Sequence, residues 1–133
     1  MKYLLALISE EGGMEDASPE EMKAVMDAWS AYSQNAVDNG AFLAGEGLQP
    51  SATASTVRFK EGNEPTITDG PFAESKEAVG GYLLLQANDL NEAVAIAKSN
   101  PTLDYGITVE VRPVLEECPV FQRAKERIAL AVA

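Results

Sequence analysis

The chain has 133 residues, 46% of them hydrophobic and 23% charged, which suits one globular core. Its 21 acidic and 10 basic side chains give a net charge of −11. That argues against nucleic acid or an anionic membrane as a partner, because phosphates need Lys and Arg to neutralise them.

In chain order, "KYLLALI" (2–8) is a near-continuous apolar run, as expected of a strand in the middle of a sheet. It is too short to span a bilayer and meets Glu10 and Glu11 at once, so it makes a poor signal peptide. Cys118 stands alone, which rules out an intrachain disulfide. A soluble protein of a reducing, cytoplasmic compartment is expected. "SPEE" (18–21) opens a helix, with Ser18 as N-cap, Pro19 in the first turn and Glu21 closing a capping box. Met22, Val25, Met26, Trp29, Ser33, Ala36 and Val37 recur at spacings of three and four, so Trp29 and the two methionines read as core. Gly40 ends that helix as its C′ residue.

"AFLAGEGLQP" (41–50) reads as a short strand interrupted by Gly45 and Gly47 and closed by Pro50. "STVRFK" (55–60) and "TIT" (66–68) alternate and form a hairpin around "EGNEP". "VGGYLLLQA" (79–87) is a second buried strand. A second helix follows, capped by Asp89 with Glu92 three residues on, burying Leu90, Ala93, Val94 and Ala97, and stopped by Asn100-Pro101. "GITVEVRPV" (106–114) alternates strictly, and "CPVFQRAKERIALAVA" (118–133) carries a weaker amphipathic face. This order predicts an α+β fold, the ferredoxin-like split βαβ arrangement, with the 2–8 and 79–87 strands central, an inserted β-hairpin and a C-terminal helix. Both helices would cover one face of the sheet and leave the other bare.

No histidine occurs, which removes Ser-His and Cys-His nucleophile pairs, the common zinc sites and His-ligated haem. No metal or cofactor is expected, and any general acid or base must be Asp, Glu, Lys, Tyr or Cys118. Arg58, Glu110 and Arg112 read either as solvated, salt-bridged sheet surface or as the lining of a pocket on the bare face. Glu46 lies between two glycines and is either an acid or base whose pKa desolvation would raise, or a solvent-facing residue at a bulge. In "TDGPFAESKE" (68–77), Asp69 explains the turn before Gly70-Pro71 by bonding the following amides, and Glu74, Lys76 and Glu77 add charge.

That ten-residue stretch, with "GGY" (80–82), "GEGLQP" (45–50), "VEVRPV" (109–114) and the opening "KYLLALI", resembles the DGPF branch of the YCII-related family. The likeness covers residues 1–115 and leaves 116–133 as a helical extension. It implies a dimeric α/β barrel of ferredoxin-like halves with a cleft near the DGPF loop, where Asp69, Phe72, Glu74 and Lys76 are the matching positions. Some relatives carry a His-Asp pair proposed as catalytic, which a chain without histidine cannot share.

Two functions follow as expectations. One is an enzyme acting on a small, anionic metabolite in a cleft on the sheet face. Asp69, Glu74 or Glu46 would be its acid or base, and Arg58 or Arg112 with Phe72 and Lys76 would hold the ligand. The other is a non-catalytic binding or regulatory module acting through a protein partner. In either case a homodimer covers the bare face.

Overall fold

The computed structural model describes the whole chain apart from residues 60, 61, 63, 72–75 and 133. Strand β1 (Lys2–Glu10) is followed by helix α1 (Pro19–Asp38) and strand β2 (Phe42–Gly47). Strands β3 (Ser55–Phe59) and β4 (Pro65–Asp69) come next, then β5 (Glu77–Gln86), α2 (Leu90–Lys98), β6 (Thr108–Pro113) and α3 (Pro119–Val132). The main sheet has the order β2-β5-β1-β6 with every neighbouring pair antiparallel. This is the expected split βαβ topology, with β1 and β5 central.

The helix boundaries follow the capping chemistry. Ser18 accepts the Glu21 N–H at 3.1 Å, and Asp89 accepts the Glu92 N–H at 2.9 Å. At the far end of α1, Gly40 has φ +71°, its N–H bonds the Val37 carbonyl, and the Ala41 N–H bonds that of Ala36. That pairing is a Schellman stop, and the left-handed φ is why Gly40 is a glycine.

Alternation along the strands sorts the two faces. Tyr3, Leu5, Leu83 and Leu85 point at the helices and are buried with Ala93 and Ala97 of α2, while Trp29, Tyr32, Phe42 and Ile96 pack around them. The opposite face carries half-buried Leu4, Ala6, Ile8, Tyr82 and Leu84. One register row there runs Glu46, Tyr82, Ala6, Glu110, and the next Ala44, Leu84, Leu4, Arg112.

Several expectations need correction. Met26 is 59% exposed and Met22 39%, so the methionine pair of α1 is not core. The sheet beneath that half of the helix presents Gly45, Gly47 and Gly81, which leaves the methionines little to pack against. Leu90 is 47% exposed, and Ile96 packs on the core in its place. The hairpin β3–β4 forms a two-stranded sheet of its own. Arg58 therefore does not share a sheet face with Arg112.

Candidate functional site

The strands β2 and β5 meet through glycine. Gly45 pairs with Leu83, Glu46 with Tyr82 and Gly47 with Gly81, and Leu7 of β1 flanks Gly81 on its other side. Gly45, Gly47 and Gly81 face the helices, so the sheet is bare peptide where α1 passes over it. The result is a cavity of about 580 Å³ between the sheet and α1. Val25, Met26, Trp29, Ser33 and Val37 of the helix roof it; Phe42, Leu83 and Leu7 wall the floor, and Thr102 and Ile107 close one side. Glu46, Gly80 and Tyr82 border it as well. This size and mainly apolar lining are those of a small-molecule site.

The cavity wall is stiff on one side. The rings of Trp29 and Tyr32 lie 5.5 Å apart at an interplanar angle of 42°, a tilted aromatic pair. The Tyr32 hydroxyl donates to the Ile96 carbonyl at 2.9 Å, which ties α1 to α2, and burial pushes this phenol above its ordinary value. Ser33 and Thr102 are the neutral polar side chains at the wall; Glu46 and Tyr82 adjoin it along β2 and β5, but alternation sends their side chains to the open face of the sheet. No described lining residue is Lys or Arg. Such a chamber can hold an uncharged ring or short chain by apolar contact and direct a few hydroxyl groups to its rim.

Of the described residues the sequence proposed as catalytic or ligand-binding, only Glu46 adjoins this cavity. It is exposed and sits in regular register opposite Tyr82, while the bulge of β2 lies upstream, between Phe42 and Ala44. Arg112 is on the open sheet face, ion-paired with Glu110 two residues away on β6. Arg58 is exposed on the hairpin, and Lys76 is exposed just before β5. Phe72 and Glu74 lie outside the described residues.

Asp69 ends β4; of the amides after it the described one, on Gly70, is taken elsewhere, and those of residues 72 and 73 lie outside the described residues. The Gly70 N–H bonds the Ala54 carbonyl at 2.7 Å, and the Thr56 hydroxyl donates to the Gly70 carbonyl at 2.7 Å. Pro71 has no N–H to offer, so the bonds come from the strand opposite. A second cavity of about 480 Å³ lies beside this turn, between Leu48–Ala54 and Pro71 with Glu77–Val79. Neither Asp69 nor Lys76 lines it. Glu11 holds its outer wall, accepting the Ser51 N–H at 2.6 Å and the Ser51 hydroxyl at 2.7 Å. The hydroxyl and then the amide draw the Glu11 carboxyl below its ordinary value.

The cavity described here lies on the helix side of the sheet, not on the open face where a dimer-closed cleft is expected. The signal that could have found it is the pairing of "GEG" with "GG" under a helix stripe rich in Met and Trp. Among the described residues no group of three or more Cys, Asp or Glu side chains is placed to hold a metal ion. No described helix is long and apolar enough to cross a membrane.

Comparison with known proteins agrees with this fold. Over 116 residues the chain is 34% identical to an uncharacterized protein of Rhizobium meliloti (strain 1021), covering 86% of this chain and 92% of the relative. Among solved structures it is similar to a 5-chloro-2-hydroxyhydroquinone dehydrochlorinase (TftG) from Burkholderia phenoliruptrix AC1100, in complex with 2,5-dihydroxybenzoquinone. That likeness has a TM-score of 0.51 at 13% identity and covers 88% of this chain and 96% of the other. The model of the YCII-related domain matches residues 1–117, and the chain belongs to that family.

Proposed function

We propose that this protein binds a compact, largely apolar organic molecule in the cavity between α1 and the β2–β5 glycines. The observation that carries this reading is the cavity itself, about 580 Å³ with Trp29, Phe42, Leu7 and Leu83 around a floor of glycine backbone. A chamber of that size suits a small ring or short chain. The dihydroxybenzoquinone held by the fold neighbour is a molecule of this size class, which supports the reading by analogy alone. Glu46 lies beside the cavity on the edge strand β2 with its side chain on the open face, so an acid–base step by it would need the carboxylate to turn round the sheet edge toward the ligand. The anionic ligand expected for Arg58 and Arg112 has no cationic partner in the described lining of this cavity. The open face, with Leu4, Ile8 and Leu84 half-buried, would be covered by a second copy in a homodimer.

Binding without turnover is the second reading, favoured by the exposure of Glu46 and its register beside Tyr82. Trp29 is the only tryptophan in the chain and lines the cavity, so its fluorescence reports occupancy directly. Titration with hydroxylated aromatics and quinones, including 2,5-dihydroxybenzoquinone, should give a saturable change in that emission. Chromatography of the same mixtures then separates the readings. Conversion abolished in Glu46→Gln, with affinity retained, identifies an enzyme. Saturable binding with every probe returned intact identifies a binding module. The absence of any saturable response would overturn the proposal.

A further inference from the structure

The glycines of β2 and β5 do not serve one purpose. A Cβ on Gly45 would lie 2.8 Å from the Leu83 Cδ2 and 3.1 Å from the Tyr82 carbonyl oxygen, and one on Gly81 would lie 2.8 Å from the Glu46 carbonyl oxygen. Packing alone explains both. Gly47 is different, because a Cβ there would meet nothing within 4 Å, and its φ is outside the left-handed region. A glycine inside a strand lowers stability through backbone entropy and the loss of a side chain to pack. No contact around Gly47 offsets that. Its register opposite Gly81, on the helix-facing side, means any side chain at 47 would project into the cavity.

We infer that Gly47 is kept bare for the ligand, and that the cavity takes a flat ring laid against the peptide planes of Gly47 and Gly81. The inference rests on the small-molecule reading above and adds the shape of the molecule to it. A flat floor of adjacent strands without side chains accepts a planar face over its whole area. A globular molecule of equal volume would touch the same floor at few points and would push Met26 and Val25 outward. Met26, 59% exposed, has the freedom to settle over the other face of a ring. Trp29 and Phe42 would meet its edge.

The test compares naphthol, which is planar, with adamantanol, which is globular and of similar size, by Trp29 fluorescence in the wild-type chain and in Gly47→Val and Gly47→Ala. Naphthol is expected to bind the wild type at least about tenfold more tightly than adamantanol, and Gly47→Val to weaken naphthol by about tenfold or more, since one or two methylenes in a closed pocket discriminate on that scale. Thermal melts of the same variants should stay level or rise, because a β-branched residue suits a strand. If Gly47→Val does not fold, the single methyl of Gly47→Ala carries the comparison and should weaken naphthol measurably. Equal affinity for the two probes, or naphthol binding unchanged at position 47, overturns this inference and leaves the small-molecule reading intact. Failure of both probes and of the hydroxylated aromatics overturns the two together.

Discussion

Gly81 and Glu46 stand so close across the β2–β5 pairing that a Cβ on Gly81 would lie 2.8 Å from the Glu46 carbonyl oxygen. The obstacle is backbone of the edge strand β2 where it pairs with β5, which cannot move without breaking ladder bonds. Gly81→Ala should therefore cost about 1–3 kcal/mol, the usual scale for overpacking. Gly45→Ala should cost less, because the nearest atom there is the end of the Leu83 side chain, which can rotate aside. Urea unfolding of both variants gives the comparison, and an equal or reversed order would mean the strands are not paired in this register.

At the turn that opens the DGPF stretch, stability should follow Thr56 and not Asp69. Thr56→Val keeps the shape and removes the 2.7 Å bond to the Gly70 carbonyl, a loss of about 1 kcal/mol by ordinary hydrogen-bond energetics. Asp69→Ala changes an exposed side chain at the end of β4 and should stay within about 0.5 kcal/mol of wild type. Melting curves that rank the two variants the other way would restore the Asp69 side chain as the turn's tie.

These two sites also show what the sequence could and could not carry. The split βαβ order was readable because each boundary is set locally: Ser18 and Asp89 cap, Gly40 stops, and "VEVRP" alternates. The helix-side cavity was not readable from any one segment. It arises where Gly47 comes opposite Gly81, 34 residues on, with Gly45 two residues before it, beneath a helix whose apolar stripe looks like core when taken alone. The turn at Asp69 is only partly legible for a related reason. An Asp before Gly-Pro is a sound turn signal, but the pairing of β3 with β4 brings Thr56 and Ala54 to the turn and satisfies it first. Non-local pairing decided both outcomes.

Acid should loosen the outer wall of the second cavity. The Glu11 carboxyl is held below its ordinary value of 4.5 by the hydroxyl and amide of Ser51. A lowered folded pKa adds stability above the unfolded value and loses it as pH falls through the folded one. Melts of wild type and Glu11→Gln should therefore differ most near neutrality, with the gap shrinking once pH drops below about 4.5. A constant gap from neutrality to pH 3 would show that the Ser51 bonds gain nothing from the ionisation of Glu11.

The open sheet face offers a direct check on the homodimer. Leu84 lies beside Leu4 in the middle of that face, with Arg112 and Ala44 at the ends of the same row. A charge at its centre would be left buried in any sheet-to-sheet pairing, so Leu84→Asp should give a folded monomer. Light scattering at micromolar concentration should report a dimer for the wild type. A monomeric wild type would mean the face is left to solvent or to a different partner.

The helix α3 is expected to be dispensable for folding and to matter for association. It begins past residue 117, where the family match ends, and Val120, Phe121, Ile128 and Leu130 are 63–77% exposed on it. Residues 119–131 are all exposed, so removing them takes no side chain out of the core. A helix of 14 residues is marginal by itself in water, so an apolar face on this one is best stabilised by docking. Arg123, Lys125 and Arg127 against Glu126 make it net basic on a chain of charge −11, and an acidic surface of a second copy would complement it. The chain ended at residue 118 should melt within a few degrees of the full protein by circular dichroism and should dissociate at higher protein concentration and lower salt. If the shortened chain is unfolded, α3 belongs to the core; if its association is unchanged, its apolar face serves something other than a second copy.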